Sequence, residues 1–239
     1  MLRPVQSKKG FTLLELLIVI AVIVLLGVIL IFALNPAETL RKSRDAQRIS
    51  DLSSLKTALG VYTTTVNPIV LDVGGFDCFE GTPQLDAEIA YSAVLAEAIA
   101  CVADVVEGAD VTTGSTFDSA GGDFCAYVGT GTADVDGTGW VPVDLGAITG
   151  GSPISSMPLD PVNAVGTSTA PDSADYVYRY ACQSDTDDGA PEFVFEFNAV
   201  LESQAYTVGD NRMTADGGDN DNYYEVGTST QLIGTGTNF

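Results

Sequence analysis

The feature that most constrains this chain is a long apolar run at residues 11–34, FTLLELLIVIAVIVLLGVILIFAL. It contains a single ionisable side chain, Glu15. A helix of this length rises about 36 Å, which is enough to cross a hydrocarbon core of about 30 Å. A helix also satisfies every backbone polar group within itself, as a lipid environment requires. The run therefore predicts one membrane-spanning helix.

The flanks of the run set its orientation and bear on two alternatives. Arg3, Lys8 and Lys9 precede it, so we expect a cytoplasmic N-terminus and an external remainder. A secretory signal peptide would have a shorter apolar stretch of about 7–15 residues and a small-residue cleavage site, whereas this run ends in Ala-Leu-Asn-Pro at residues 33–36. A plain anchor leaves Glu15 unexplained, because an unpaired carboxylate in an apolar span costs about 3 kcal/mol.

Composition excludes many catalytic sites. The 239 residues include no His, which excludes a Ser-His-Asp triad, a Cys-His dyad and any His-ligated metal. The chain also lacks a P-loop, a nucleophile elbow and a dinucleotide fingerprint. Eight of the 10 basic residues lie in the first 56 residues, so the remainder is strongly acidic and the net charge is -22. We expect no enzyme activity, no required cofactor and no direct nucleic-acid binding by the acidic part.

The start of the apolar run carries a motif, Lys8-Lys9-Gly10-Phe11 followed by Thr-Leu-Leu-Glu15. It resembles the leader and cleavage site of type IV prepilins and the related pseudopilins. The resemblance implies that residues 1–10 are a leader, that a membrane peptidase cuts after Gly10 and that Phe11 becomes N-methylated. It also implies that Glu15 neutralises the Phe11 amine, in a neighbouring subunit of a filament. Two such buried charges are tolerable only as a pair.

Residues 35–64 predict an amphipathic continuation of the helix. Asn35-Pro36 predicts a kink or local unwinding, because proline removes a backbone donor and restricts the preceding residue. Apolar residues then recur largely at steps of three and four. They are Leu40, Ile49, Leu52, Leu55, Leu59 and Tyr62. Four basic residues, Arg41, Lys42, Arg44 and Arg48, form either a solvated face or a collar that pairs with acidic heads of neighbouring subunits, and the two interpretations are compatible.

Residues 65–239 are expected to form an extracellular acidic head. Together with the helix they predict an α+β fold, in which a long N-terminal helix packs against a head with an antiparallel sheet, as in type IV pilins. One more helix is predicted near residues 86–106, with Thr82-Pro83 as its cap. Strand candidates share alternating apolar residues that suggest half-buried strands. They lie at residues 176–182 and 193–197 and, more weakly, at 124–128 and 140–145.

The four cysteines all lie beyond the apolar run, and an even number in an exported domain suggests two disulfides. Three connectivities are possible, and we favour Cys78–Cys101 with Cys125–Cys182 because this closes one local loop and joins two strands. A cysteine metal site is disfavoured, since no Cys-x-x-Cys spacing occurs.

An acidic C-terminal stretch contains candidate calcium ligands, Asp216, Asp219, Asp221 and Glu225, with glycines between them. Carboxylate oxygens suit Ca²⁺, although the spacing is not that of an EF-hand. Some pseudopilins bind calcium in a C-terminal loop, so the resemblance favours Ca²⁺ here. The alternative is a solvated acidic turn, and no metal other than calcium is expected.

The expected function is that of a structural subunit of a type IV pilus-like surface filament, inserted first as a single-span precursor in the cytoplasmic membrane. Expected partners are a prepilin peptidase and methyltransferase, inner-membrane assembly machinery and identical or related subunits. A pseudopilin of a type II secretion system is the alternative within the family. The calcium candidates and a Pro-Leu-Asp160-Pro turn favour it, whereas the large head and the disulfides favour a pilin. A third alternative is an anchored module that binds calcium or carbohydrate, which would not need Glu15.

Overall fold

The computed structural model divides the chain into two compact units, Met1–Arg41 and Lys42–Phe239, which are treated separately below. It describes residues 10–76, 78, 87–94, 99–102, 124–127, 132–166, 171, 173–184 and 193–234. The leader residues Lys8 and Lys9 and the predicted Thr82-Pro83 cap lie outside these ranges.

Two helices, α1 (Leu13–Leu34) and α2 (Pro36–Thr65), account for the N-terminal quarter of the chain. A capping box opens α1: the Thr12 hydroxyl accepts from the Glu15 N–H, and the Glu15 carboxylate accepts from the Thr12 N–H. Between the helices Asn35 is left-handed, with φ of 39°, and Pro36 opens α2. The predicted interruption at Asn35-Pro36 is confirmed.

Within the ranges given above, six strands form one sheet in the order β2-β3-β1-β4-β5-β6. The strands are β1 (Ala87–Tyr91), β2 (Ile99–Val102), β3 (Phe124–Tyr127), β4 (Arg179–Gln183), β5 (Val194–Ala199) and β6 (Tyr224–Gly227). All neighbouring pairs are antiparallel except β1 and β3, which run parallel. The expected α+β class with an antiparallel sheet is confirmed, and the candidates at 176–182, 193–197 and 124–128 correspond to β4, β5 and β3.

Two predicted elements are wrong. The stretch predicted as a helix at 86–106 contains β1 and β2 instead. Because β1 pairs with both β3 and β4, long-range sheet pairing overrides the local helical spacing. Residues 140–145 are not a strand: Trp140, Val141, Val143 and Leu145 are all buried in an irregular segment that leads into a short 3₁₀ turn. These apolar residues are there because the segment is buried in the core, and not because it alternates between two faces as a strand does.

The sheet is covered on both faces. Against one face lies α2, whose Leu52, Leu55 and Leu59 join Trp140, Phe195 and Phe197 in the main core. Against the other face lies a second cluster, which includes Ile89, Tyr91, Val177, Tyr223 and Ile233. The strands β4 and β5 are therefore buried along their whole length, and the expectation that they are half-buried is wrong.

One disulfide, Cys78–Cys182, joins the segment after α2 to β4. The favoured pairing Cys78–Cys101 with Cys125–Cys182 is therefore wrong. The chain after α2 crosses over β4 at this point, since the Tyr180 hydroxyl donates to the Leu71 carbonyl at 3.1 Å. That crossing places Cys78 beside Cys182. Cys101 and Cys125 belong to the adjacent strands β2 and β3, for which the register pairs Ile99 with Ala126 and Val102 with Phe124.

Candidate functional site

Gly10 and Phe11 lie in a non-helical, exposed segment directly before the Thr12 cap of α1. A Cβ built on Gly10 meets nothing within 4 Å, so no packing within the chain requires glycine there. The Phe11 side chain is 85 % exposed. The segment is therefore accessible to an external enzyme that reads the backbone at Gly10.

Glu15 is exposed and contacts Thr12. Its Oε2 accepts from the Thr12 backbone N–H and from the Thr12 hydroxyl, each at 3.1 Å. A carboxylate in the first turn is also favoured by the partial positive charge of a helix N-terminus. The arrangement holds an acid four residues from Phe11, the position that the sequence motif indicates.

The apolar surface of α1 has no cover from the described part of its own chain. The stretch Leu13–Ile31 has a mean hydropathy of 3.3 and none of it is buried. By length and composition it can cross a membrane. Leu17, Ile20, Val24 and Val28 line one apolar face of this helix.

Arg48 of α2 is the centre of a buried ion-pair cluster. Its Nε donates to the Asp160 Oδ2 at 2.6 Å, and its Nη1 donates to Asp45 at 2.8 Å and to Glu202 at 2.9 Å. Arg44 also holds Glu202, through two bonds of 2.6 Å. Burial raises the pKa of Glu202, but Arg44 and Arg48 outweigh it, so the pKa lies below its usual value. Asp160 is the acid of the proline-flanked turn, which this cluster ties to α2.

This cluster corrects part of the interpretation of the basic residues. Two of the four, Arg44 and Arg48, bind acids of the same chain rather than solvent or a neighbouring subunit. Arg41 stays exposed and lies 3.9 Å from Glu38 of its own helix, and the Lys42 amine lies 5.8 Å from the centre of the Tyr206 ring. The sequence offered no pattern that separates the two pairs, because two of the acids concerned, Asp160 and Glu202, lie more than 100 residues away.

The candidate calcium residues do not act as one set. Asp216 accepts from the Gly218 and Glu225 N–H groups at 3.0 and 2.8 Å, so it shapes the loop. Asp221 is exposed. Both carboxylate oxygens of Asp219, by contrast, are buried without a hydrogen-bond partner. Glu225 is buried on β6, and its Oε2 accepts from the Asn220 N–H at 3.0 Å. Within the described ranges, no three acidic, Cys or His side chains are already arranged to hold a metal ion.

Sequence reasoning missed Glu196, a fully buried acid on β5. Its Oε2 accepts from the Leu232 and Ile233 N–H groups at 2.6 and 3.2 Å. Burial raises the pKa of Glu196 to about 7. Burial and then the nearby Glu196 raise the pKa of Glu225 to about 11, because the charge of one buried acid disfavours ionisation of the other. The position of Glu196 between Phe195 and Phe197 was the one sequence feature that could have identified it. The alternation of apolar and polar residues, however, predicted that Glu196 faces solvent.

Comparison with known proteins adds one finding about the N-terminus. A family model described as the prokaryotic N-terminal methylation motif matches residues 6–31. No curated protein and no solved structure matches the chain. The matched residues include Gly10, Phe11, Glu15 and most of α1.

Proposed function

We propose that this chain, a type IV pilin-like prepilin by its N-terminal methylation motif, is the precursor of a structural subunit of a surface filament. The peptidase cuts after Gly10, Phe11 is N-methylated, and the mature subunit assembles through α1. The protein is a building block and a substrate of its processing enzyme, not an enzyme itself.

The observation that carries this proposal is the exposed helix α1 directly behind the matched motif. An apolar surface of this length requires cover from lipid or from other protein. A precursor in the membrane has the first kind of cover, and a filament of parallel helices has the second. Cleavage after Gly10 creates a positive amine at Phe11, which an acid at position 15 of a neighbour can neutralise.

The proposal also assigns an orientation and partners. The basic leader with Lys8 and Lys9 stays in the cytoplasm, and the acidic head lies outside. The partners are a prepilin peptidase and methyltransferase, an inner-membrane assembly machine, and identical or related subunits.

A Glu15→Gln variant tests the assembly step. Glutamine keeps a capping-box acceptor at this position but removes the charge, so α1 still forms. We expect normal cleavage but at least about a tenfold loss of sheared filament, the equivalent of about 1.4 kcal/mol in assembly. Glu38→Gln, a partly exposed acid in the first turn of α2, is the matched control and keeps its filaments. Equal filament yields from both variants would leave the anchored binding module as the better function.

The second candidate is a pseudopilin of a type II secretion system. The proline-flanked turn favours it by resemblance, and in this chain Asp160 of that turn holds the buried Arg48. Locating the assembled protein separates the two candidates. Long filaments recovered by shearing whole cells support a pilin, whereas assemblies confined to the cell envelope support a pseudopilin.

A further inference from the structure

Two cysteines lie on neighbouring strands at one edge of the sheet, Cys101 on β2 and Cys125 on β3. Among the strands that the structure describes, β2 ends the sheet order and pairs with β3 alone. The other two cysteines, Cys78 and Cys182, are already joined to each other. Cys101 and Cys125 therefore have no other cysteine of this chain left to pair with.

The register of the two strands places Cys125 opposite Cys101. It shifts by one residue between two neighbouring pairs, as in a β-bulge. These pairs are Ile99 with Ala126 and Val102 with Phe124. Two residues of β2, of which Cys101 is the second, therefore stand against a single residue of β3, which is Cys125.

The spacing of paired strands suits a bond between these two residues. Opposite residues of antiparallel strands have Cα atoms about 4.5–5.5 Å apart, and disulfides span Cα separations of about 4.4–6.8 Å. A structural zinc site would need four nitrogen or sulfur ligands. The chain has no His, and its other two cysteines are bonded, so it does not supply that set.

We propose that Cys101 and Cys125 form a second disulfide, which fastens the edge strand β2 to β3. A bulge interrupts the ladder of hydrogen bonds at this point, and edge strands pair readily with other chains. The bond closes a ring of 25 residues, 101–125, and such a ring stabilises a fold mainly by restricting the unfolded chain. It holds a different part of the compact unit from Cys78–Cys182, which fastens the segment after α2 to β4.

The bond forms by thiol–disulfide exchange with an oxidant outside the cytoplasm, which is itself a protein or small-molecule disulfide. One thiolate attacks this disulfide and releases one of its sulfurs as a thiol, and the second thiolate then releases the other. Cys101 and Cys125 lose two protons and two electrons, and the oxidant gains them as two thiol groups. This step rests on the external head of the proposed function, since disulfides persist outside the cytoplasm. The pairing of the two residues rests on the register alone.

The test maps the disulfides of the full chain, purified in detergent and equilibrated with glutathione disulfide. Free thiols are blocked with iodoacetamide, and the chain is cleaved at acidic residues, which lie between every two successive cysteines. We expect one pair of peptides joined through Cys101 and Cys125, which separates on reduction. Iodoacetamide or glutathione on these two residues beside an intact Cys78–Cys182 bond, or a bond from either to another chain, would overturn the proposal.

The same mapping on protein taken directly from cells separates this proposal from the proposed function. If the head lies outside, both bonds are present in that sample. If both bonds are absent there but form with glutathione disulfide, the external orientation is wrong and the pairing of Cys101 with Cys125 is right.

Melting temperature tests what the bond does. Cys101→Ala should lower the melting temperature by about 6–12 °C, because it removes the restriction on the unfolded chain. Adding Cys125→Ala should change it by less than about 2 °C more, since the bond is already lost. A second fall as large as the first would contradict a shared bond. Cys78→Ala is the matched control, in which the peptides of Cys101 and Cys125 stay joined, and the mapping of the wild type decides the pairing if a variant does not fold.

Discussion

The helix α1 and the compact unit Lys42–Phe239 place their hydrophobic residues in opposite ways. In α1, Leu17 and Val24 are 57 % and 65 % exposed, whereas Leu55 and Phe195 of the compact unit are fully buried. The compact unit is stabilised by its own core, but α1 has no such core in the described chain. The helix α1 therefore requires cover from lipid or from other protein, whereas the compact unit is stabilised from within.

Acidic residues show the same contrast. Glu15 lies at an exposed helix start, and in the proposed function its partner is the Phe11 amine that cleavage creates. In the compact unit, Asp45, Asp160 and Glu202 share the buried Arg48. The pair Glu196 and Glu225 differs from both cases, because the two acids are buried beside each other and burial raises the pKa of each.

Val24→Lys should give the largest effect and confine it to α1. A lysine in the middle of the span costs about 3 kcal/mol on insertion and disrupts packing between helices. We expect loss of nearly all assembled filament, measured in sheared fractions. Chemical unfolding of the compact unit should stay within about 0.5 kcal/mol of the wild type. A large loss of head stability would show that the two regions depend on each other.

Arg48→Met should produce the opposite result, with a loss of stability in the compact unit. The change leaves three acids together in a buried place, which costs about 3–5 kcal/mol. Denaturant unfolding monitored by the Trp140 fluorescence measures it. Arg41→Met, on an exposed side chain, is the matched control and should change stability by less than about 0.5 kcal/mol. An equally small effect at Arg48 would contradict the account of the cluster.

Gly218→Ala should destabilise the loop over the carboxylate pair. A Cβ at Gly218 would overlap the Glu225 carboxylate, so the loop or the acid must shift, at a cost of about 1–3 kcal/mol. Gly60→Ala in α2 is the control, since its Cβ meets nothing within 4 Å and alanine favours a helix by about 1 kcal/mol. The two alanines should therefore shift the melting temperature in opposite directions, and a shared direction would argue against the described loop.

Glu202→Gln should have the smallest effect on the free energy of unfolding, and this effect should be present at neutral pH and absent in acid. The folded-state pKa of Glu202 is lowered by Arg44 and Arg48, so its stabilisation is present above its unfolded pKa of about 4.3 and is lost as pH falls through the lower folded value. We expect the wild type to exceed the variant by about 1–2 kcal/mol at pH 7. The difference should vanish in acid, and a pH-independent difference would contradict the pairing.

The sequence predicted those features that depend on neighbouring residues. The span, the Asn35-Pro36 interruption, β4 and β5 all follow from local periodicity or from proline geometry. The sequence did not predict the features that depend on residues far apart along the chain. The helix predicted at 86–106 became β1 and β2 through pairing across the sheet, and the pairing of Cys182 depended on where the chain crosses β4.

The candidate sites divide in the same way. Gly10, Phe11 and Glu15 form a contiguous motif, and the family match covers them. Glu196 was missed because its burial requires a second layer over the sheet, which the alternation of β5 does not indicate. Arg48 was assigned to a basic face or collar because Asp160 and Glu202, two of its acids, lie far along the chain.

The central claim, that this chain is a prepilin whose α1 builds a filament, is tested most directly by the mass of its N-terminus. The protein should be recovered from cells with a prepilin peptidase, beside Gly10→Val and the control Gly27→Val, whose Cβ also meets nothing within 4 Å. We expect N-methylated Phe11 as the first residue in the wild type and the control, and an uncleaved chain in Gly10→Val. An intact N-terminus in the wild type, or a cut after Ala33, would contradict the account.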